Sequence, residues 1–297
     1  MTLPAANISY DPAFLQKLER LTIVIRRVLG GRVRGERPSR RRGAGVEFQD
    51  FRPYVAGDDI RYLDWNVYRR MERLVLKLFV EEQDLCLHVL VDSSASMGFG
   101  QPTKLVYAAQ AAAAIGYVAL ASHERVAAGL IGWGDSLAFR PTRGKRRIFA
   151  LLEFLEKGRA AGQTDLTAAL ADYARRTRAT DLVVLLSDLL DPQGFEGGVD
   201  ALLARGVDVV LLHLITEAEE EPPLAGDYRL EDAETAEHCD VTVDPDTLDR
   251  YRQNRDAFFG RCEEFCRRRG VDYLRVRTDL PLEDLILRDL CAGGILR

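Results

Sequence analysis

"LHVLVDSSASMGFG", residues 87–100, passes from apolar residues to an acid, Asp92, and then to the hydroxyl side chains of Ser94 and Ser96. The apolar run "CLHVLVD", residues 86–92, is typical of a short buried strand. A helical run, "KLVYAAQAAAAIGYVALAS", follows at residues 104–122. A buried strand that turns into a long helix is the opening unit of an α/β sheet, so this stretch decides the fold class.

The same alternation continues to the end of the chain. It predicts an α/β fold with a doubly wound, mostly parallel sheet and helices on both faces. In such sheets ligands bind beyond the carboxyl ends of the strands, where the strand order reverses. The predicted strands are residues 86–92, 126–135, 181–188, 207–216 and 271–278. The predicted helices are residues 104–122, 146–156, 166–176, 197–206, 245–269 and 281–290. Hairpins are predicted at residues 126–142 and 228–244.

The first part of the chain has a different pattern. Residues 11–29 have helical apolar spacing, and an arginine-rich segment follows at residues 32–42. From Leu74 to Val80, apolar and polar residues alternate in the manner of a half-buried strand. We therefore predict an N-terminal helical and β extension over residues 1–84 and the α/β domain over residues 85–297.

Composition excludes several classes of protein. The chain has 297 residues and a net charge of −5, which is not typical of a surface built for nucleic-acid phosphates. Its five cysteines lack the C-x-x-C spacing of a zinc site, so we expect reduced thiols. No secretory pattern opens the sequence, and the apolar run 108–121 is shorter than the roughly 20 residues that span a bilayer. The predicted location is the cytoplasm.

Five oxygen-bearing residues stand at strand ends and at a helix start: Asp92, Ser94, Ser96, Thr164 and Asp188. Carboxylate and hydroxyl oxygens are hard ligands of the kind that Mg²⁺ prefers, and Mg²⁺ is usually held by only one or two carboxylates. The alternative interpretation is that Asp92 and Ser94 cap the next helix.

The motifs "DSSASMG", "GQTDLTAAL" and "VVLLSD" resemble the three parts of the metal-ion-dependent adhesion site of von Willebrand factor A domains. The upstream "GVEFQDFRPYVAGDDIRYLDW" resembles the prokaryotic "domain of unknown function 58" family. The resemblance implies that Ser94 and Ser96 coordinate Mg²⁺ directly and that Thr164 coordinates it directly or through water. Asp92 and Asp188 would act mostly through waters. Mn²⁺ is the alternative ion, and a partner's carboxylate would fill the open coordination position.

The resemblance also implies a function and a partner. The chain is expected to be a non-enzymatic, Mg²⁺-dependent protein-interaction module that works as an adaptor with a MoxR-type AAA+ ATPase on a client protein. A metal-dependent phosphoesterase is one alternative, although Ser94 replaces the second acid of the D-x-D phosphatase motif. Binding of nucleic acid through the arginine-rich segment is the other. No complete catalytic constellation is present, and the four histidines are expected to be structural.

Two further segments are candidate partner-binding surfaces. The first is the arginine-rich segment, whose alternative interpretation is a solvated loop. The second is "GDDIRYLDW", whose alternative is a salt-bridged structural turn. The candidate residues are Arg40, Arg41, Arg42, Asp58, Asp59, Arg61, Asp64 and Trp65.

Overall fold

The structure, a computed structural model, describes residues 16–21, 46–55, 60, 63–81, 85–132 and 137–296, with backbone alone for 46–52 and 77–81. Contacts divide the chain into two compact units, one of Met1–Gly31 with Leu85–Arg297 and one of Arg32–Asp84. The boundary after residue 84 also appears in the sequence division, whereas residues 1–31 group with the larger unit. The division into domains at 1–84 and 85–297 stays a prediction.

The smaller unit contains strand β1 (Val46–Pro53), helix α1 (Trp65–Met71) and strand β2 (Val75–Glu81). The two strands pair antiparallel, with an irregularity near Asp50. Helix α1 begins where the Asp64 carboxylate accepts hydrogen bonds from two backbone N–H groups, which removes two of the unsatisfied donors at a helix start. The alternation predicted β2; β1 and α1 had no prediction.

The larger unit is built on a six-stranded sheet in the order β10-β7-β6-β3-β4-β5. All neighbouring strands are parallel except β5, which returns antiparallel to β4 as the predicted hairpin. This arrangement confirms the predicted α/β fold class. The strands are β3 (Cys86–Asp92), β4 (Arg125–Ile131), β5 (Leu137–Arg143), β6 (Leu182–Ser187), β7 (Asp208–Ile215) and β10 (Asp272–Arg277).

Helices join the strands at the predicted places, except for the short helix Glu217–Glu220, which had no prediction, and a two-stranded hairpin follows β7. The last predicted helix contains a π turn, Leu285–Asp289, between two short α-helical turns. The hairpin consists of β8 (Gly226–Glu231) and β9 (His238–Val243). The helices are α2 (Lys104–Ala121), α3 (Ile148–Leu155), α4 (Leu166–Ala174), α5 (Glu196–Ala204), α6 (Glu217–Glu220) and α7 (Pro245–Arg269).

Strand β3 is buried on both faces because its side chains alternate between two apolar clusters. Leu87, Val89 and Val91 pack with helices α2 and α3, whereas Leu90 packs with α4, α5 and α7. After β3, the chain adds β4 and β5 on one side of β3, and later adds β6, β7 and β10 on the other side. The strand order therefore reverses at β3, and the carboxyl ends of β3 and β6 border that point.

Helix α2 carries the apolar run that the sequence placed at residues 108–121. The helix begins at Lys104 and has 18 residues, so by length and composition it could cross a bilayer. The shorter run had led us to expect a segment too short to do so. In this fold 83% of the helix is buried inside the protein, as in the core helix of a globular domain. The cytoplasmic location stays a prediction.

Candidate metal site

Three loops meet beyond the carboxyl ends of β3 and β6. The loop after β3 is tied to the loop before α4 by two backbone bonds, from Ala95 N–H to the Gly162 carbonyl at 2.9 Å and from Ala161 N–H to the Ser93 carbonyl at 3.0 Å. The loop after β6 joins them because the Leu166 N–H donates to Asp191 Oδ2 at 2.5 Å. Folding therefore brings the segments of all five predicted ligands together.

Hydroxyl groups dominate this meeting point. Ser94 Oγ and Ser96 Oγ lie 3.0 Å apart, close enough to share one cation or one hydrogen bond. Thr164 is 7% exposed, and its Oγ1 is buried without any hydrogen-bond partner in the part of the chain that the structure describes. A buried hydroxyl without a partner costs free energy, and such a group in a native protein points to a bound ion or water.

The two carboxylates are buried as well. Asp92 Oδ1 accepts from the Ser94 N–H at 2.9 Å and Oδ2 from the Ser187 hydroxyl at 2.6 Å, which fixes the carboxylate. Burial, and then the negative charge of Asp188, raise the pKa of Asp92 to about 6. A divalent cation between the two acids would remove the repulsion that contributes to this shift.

Lys104 is a member of this site that the sequence did not predict. Its side chain is fully buried, and Nζ donates to Asp188 Oδ2 at 2.7 Å and to Glu219 Oε1 at 2.5 Å. Burial alone lowers the pKa of Lys104, but the charges of Asp188 and Glu219 outweigh burial and raise it. The ammonium group is therefore a permanent cation that orients Asp188. A lysine at the first position of an apolar helix was the available signal.

Glu219 connects this cation to the end of β7. Its Oε2 accepts from the backbone N–H of Thr216 at 2.8 Å, and the Thr216 hydroxyl caps the Glu219 N–H in return. This reciprocal capping box fixes the Glu219 carboxylate beside the Lys104 ammonium group. Glu219 Oε2 bonds the start of the helix and Oε1 bonds Lys104, so both oxygens of the carboxylate are held in place.

The helix-capping alternative for Ser94 fails. Ser94 precedes the short 3₁₀ turn Ala95–Gly98, but its side chain makes no capping hydrogen bond there. Helix α2 is capped by Thr103, whose hydroxyl accepts from the Val106 N–H at 3.3 Å. Asp92 does hold the turn through the Ser94 N–H, so its role is partly structural. The Ser94 and Ser96 hydroxyls, in contrast, remain available to a ligand.

This donor set fits Mg²⁺. Within the described ranges no group of three or more His, Cys, Asp or Glu side chains is placed to hold a metal, so a cation here would rely on hydroxyls. Two carboxylates, three hydroxyls and several waters suit a small hard ion that keeps part of its hydration shell. The ligands would be Asp92, Ser94, Ser96, Thr164 and Asp188.

The remaining predicted partner-binding residues have mixed positions. Asp64 is buried and caps α1, which agrees with the structural interpretation of its segment. Trp65 is 59% exposed at the start of the same helix. The other candidates, Arg40, Arg41, Arg42, Asp58, Asp59 and Arg61, lie outside the described residues.

The histidines nearest the sheet core have structural surroundings. His88 is buried with both ring nitrogens bonded, one to the Tyr173 hydroxyl and one to Asp181, each at 3.0 Å. The ring of His213 packs against Phe258 and Phe259, and burial lowers the pKa of His213 to about 4. A histidine with this pKa is neutral near pH 7.

The sequence matches the family described as "Protein of unknown function DUF58" over residues 50–257, which is more than half of the chain. The chain belongs to the DUF58 family. Uncharacterised proteins of Mycobacterium bovis and Mycobacterium tuberculosis are 28% identical to it over 275 residues, which cover 91% of this chain and 86% of theirs.

Solved structures of low sequence identity are also similar to this DUF58 protein. The conserved hypothetical protein BatB from Bacteroides thetaiotaomicron gives a TM-score of 0.44 at 16% identity, covering 71% of this chain and 98% of BatB. An aerotolerance-related membrane protein from Bacteroides fragilis gives 0.40 at 18% identity, with coverages of 65% and 91%. Manganese-loaded TRAP protein from Plasmodium vivax gives 0.35 at 23% identity, with coverages of 44% and 58%.

Proposed function

We propose that this DUF58 protein is a non-enzymatic interaction module in which Mg²⁺ at the Asp92 site binds a carboxylate of a partner protein. The observation that carries the proposal is the buried Thr164 hydroxyl, which has no hydrogen-bond partner among the described residues and belongs to a loop joined to the loop of Ser94. An ion held by this set would supply a Lewis-acidic position for one outside oxygen ligand.

The charge of the site favours an acidic ligand once the ion is bound. Asp92 and Asp188 carry two negative charges, and Lys104 offsets part of the charge of Asp188. Glu219, the other partner of Lys104, carries a third negative charge, so the divalent ion and Lys104 together balance the three acids, and an outside carboxylate is attracted by the ion itself. Because neutral serine and threonine hydroxyls supply most of the direct contacts, the ion keeps much of its attraction for an outside acid.

Exposed apolar side chains border the site. Phe99, directly after the 3₁₀ turn of Ser96, and Leu190, two residues after Asp188, are each 50% exposed. Aromatic and aliphatic groups around a central polar contact are the composition of a protein-binding hot spot. We infer that a partner places an acid on the ion and packs apolar atoms on Phe99 and Leu190.

The proposed partner is a MoxR-type AAA+ ATPase, and the proposed role is that of an adaptor that holds a client protein while the ATPase works on it. The family resemblance supports this pairing, and the site's preference for an acidic partner is compatible with it. Mg²⁺ is the proposed ion, with Mn²⁺ as the alternative.

The test uses the purified chain and the purified MoxR-type ATPase of the same organism, with binding measured by surface plasmon resonance. The ATPase needs its own Mg²⁺ for nucleotide, so variants separate the two sites better than a chelator does. Ser94→Ala is expected to weaken binding at least tenfold. Ser93→Ala is the matched control, because the Ser93 hydroxyl donates to the Ile131 carbonyl at 2.7 Å. Equal affinity for both variants and the unaltered chain contradicts docking through the metal.

A further inference from the structure

The edge strand β5 and the start of helix α3 form a basic surface, which we call the basic edge. Phe149, two residues into helix α3, is 74% exposed there. Lys145 pairs with Glu19 at 2.5 Å, whereas Arg140, Arg146 and Arg147 have no ion-pair partner within the described ranges. From residue 140 to residue 147 the chain has no acid and five exposed cations: Arg140, Arg143, Lys145, Arg146 and Arg147.

The β8–β9 hairpin is an acidic surface. Its residues 227–240 contain six acids and a single arginine, Arg229, which already pairs with Asp240 at 2.7 Å. Glu231 and Glu237 are exposed and have no ion-pair partner in the part of the chain that the structure describes. The hairpin also exposes apolar side chains on one face, since Tyr228 and Leu230 are two positions apart on the same strand.

The two surfaces lie in different places of the larger unit. Strand β5 is at one edge of the sheet, and β4, β3 and β6 separate it from β7, after which the chain continues to the hairpin. The Thr247 hydroxyl of helix α7 donates to the Thr242 carbonyl of β9 at 3.2 Å, which holds the hairpin at the start of that helix. Among the described residues no ion pair joins the hairpin to the basic edge. Both surfaces are therefore available to another molecule.

Charge decides which contacts these surfaces can make. Two basic edges repel each other and so do two acidic hairpins, whereas an edge and a hairpin attract. Addition of a further strand to β5 is disfavoured, because Pro141 has no N–H and the pairing of β5 with β4 is irregular there. Side chains would therefore make the contact, the arginines with the acids of the hairpin and Phe149 with its apolar face.

We propose that the β8–β9 hairpin of one molecule binds the basic edge of a second copy of this chain. The contact is head-to-tail, because each copy contributes a different surface, and contacts of this kind build rings or open rows of molecules. It joins exposed charges, so it weakens as the salt concentration rises. Each copy brings its own candidate metal site, so an assembly would meet a partner with several sites at once.

The experiment measures self-association of the full chain by sedimentation velocity at low and at high salt. A chelator is present throughout, so that the metal site does not contribute. The edge variant carries Arg146→Gln and Arg147→Gln, and the hairpin variant carries Glu231→Gln and Glu237→Gln. These four side chains are exposed, and circular dichroism checks that each variant keeps its fold.

The matched control carries Arg69→Gln and Arg70→Gln, which neutralise two other consecutive, exposed arginines. We expect the unaltered chain and this control to associate equally at low salt and to return to monomers at high salt. The edge variant and the hairpin variant, each alone, should associate about tenfold more weakly. An equal mixture of these two variants should form a complex of two molecules and no larger one, because each supplies the surface that the other lacks.

Three results would overturn the proposal. The first is an unaltered chain that stays monomeric at low salt. The second is association that either the edge variant or the hairpin variant retains in full; loss in the edge variant alone would mean that a different acidic surface occupies the basic edge. The third is a mixture in which the two variants do not bind each other.

Discussion

Strand β3 carries a buried polar cluster near each end, and the two differ in how their groups are satisfied. Near the amino end, both ring nitrogens of His88 have partners, and Asp181 Oδ2 also accepts from the Arg178 N–H at 2.7 Å. Only Oδ1 of Asp181 lacks a partner among the described groups. Beyond the carboxyl end, Thr164 Oγ1 has no partner in the described part of the chain, and Asp92, Asp188 and Glu219 are three acids near Lys104, which pairs with the last two.

The comparison separates a structural cluster from a binding site. Burial is similar, since His88 is 3% exposed and Asp92 is 2% exposed. The difference is that His88 and the Tyr173 hydroxyl of the first cluster have their partners within it, which leaves one carboxylate oxygen of Asp181 without a partner among the described groups, whereas the second cluster has hydroxyls and acids that an ion could bind. Side chains near His88 should therefore matter for stability alone, and those near Ser94 for ligand binding. The predictions below test that division.

The largest effect is expected from Lys104→Met, which removes the buried cation that pairs with Asp188 and Glu219. Asp188 and Glu219 would lose their buried partner, and breaking such a pair costs about 3–5 kcal/mol in the free energy of unfolding. Urea denaturation measures the loss. Lys157→Met, at an exposed position, should stay within about 0.5 kcal/mol of the unaltered chain. A loss for Lys104→Met that is no larger than that of the control would contradict the assigned role.

A smaller loss is expected from His88→Ala at the structural end. The buried Asp181 would keep only the Arg178 N–H, and the Tyr173 hydroxyl would lose its bond to His88, which costs about 2–3 kcal/mol, whereas Mn²⁺ affinity should stay unchanged. His238→Ala, on the exposed face of β9, is the control and should change neither quantity. Weaker Mn²⁺ binding by folded His88→Ala would remove the distinction between the two ends.

The smallest effect on stability is expected from Thr164→Val, and its sign is informative. Valine replaces a buried hydroxyl that has no partner among the residues that the structure describes, so the metal-free chain should be unchanged or more stable by up to about 1 kcal/mol. Its Mn²⁺ affinity should fall about tenfold. Thr177→Val is the matched control, because the Thr177 hydroxyl donates to the Ala174 carbonyl at 2.9 Å. That variant should lose about 1 kcal/mol of stability and keep its Mn²⁺ affinity.

Much of the larger unit follows from the sequence. The strands β3, β4, β6 and β7 are compact apolar runs, and the longer helices between strands have helical apolar spacing, so local pattern predicted the order of these elements. The positions of Asp92 and Asp188 at strand ends followed from the same pattern. Helix α1 did not, because "GDDIRYLDW" was interpreted as a turn, although Asp64 before Trp65 is an N-cap signal.

The supporting residues of the site could not be predicted, because long-range folding assembles them. Lys104 meets Asp188 across 84 positions of sequence and Glu219 across 115. No spacing rule connects a lysine at a helix start with an acid after another strand.

The central claim is most directly tested by Mn²⁺ titration of three chains: unaltered, Ser94→Ala and Ser93→Ala. The two serines are adjacent, and only Ser94 is expected to contact the ion, because Ser93 is bonded to the Ile131 carbonyl. We predict one Mn²⁺ site in the unaltered chain, the same affinity in Ser93→Ala, and at least a tenfold weaker site in Ser94→Ala. The same Mn²⁺ affinity in all three chains would contradict the assignment of this site as the metal-binding centre.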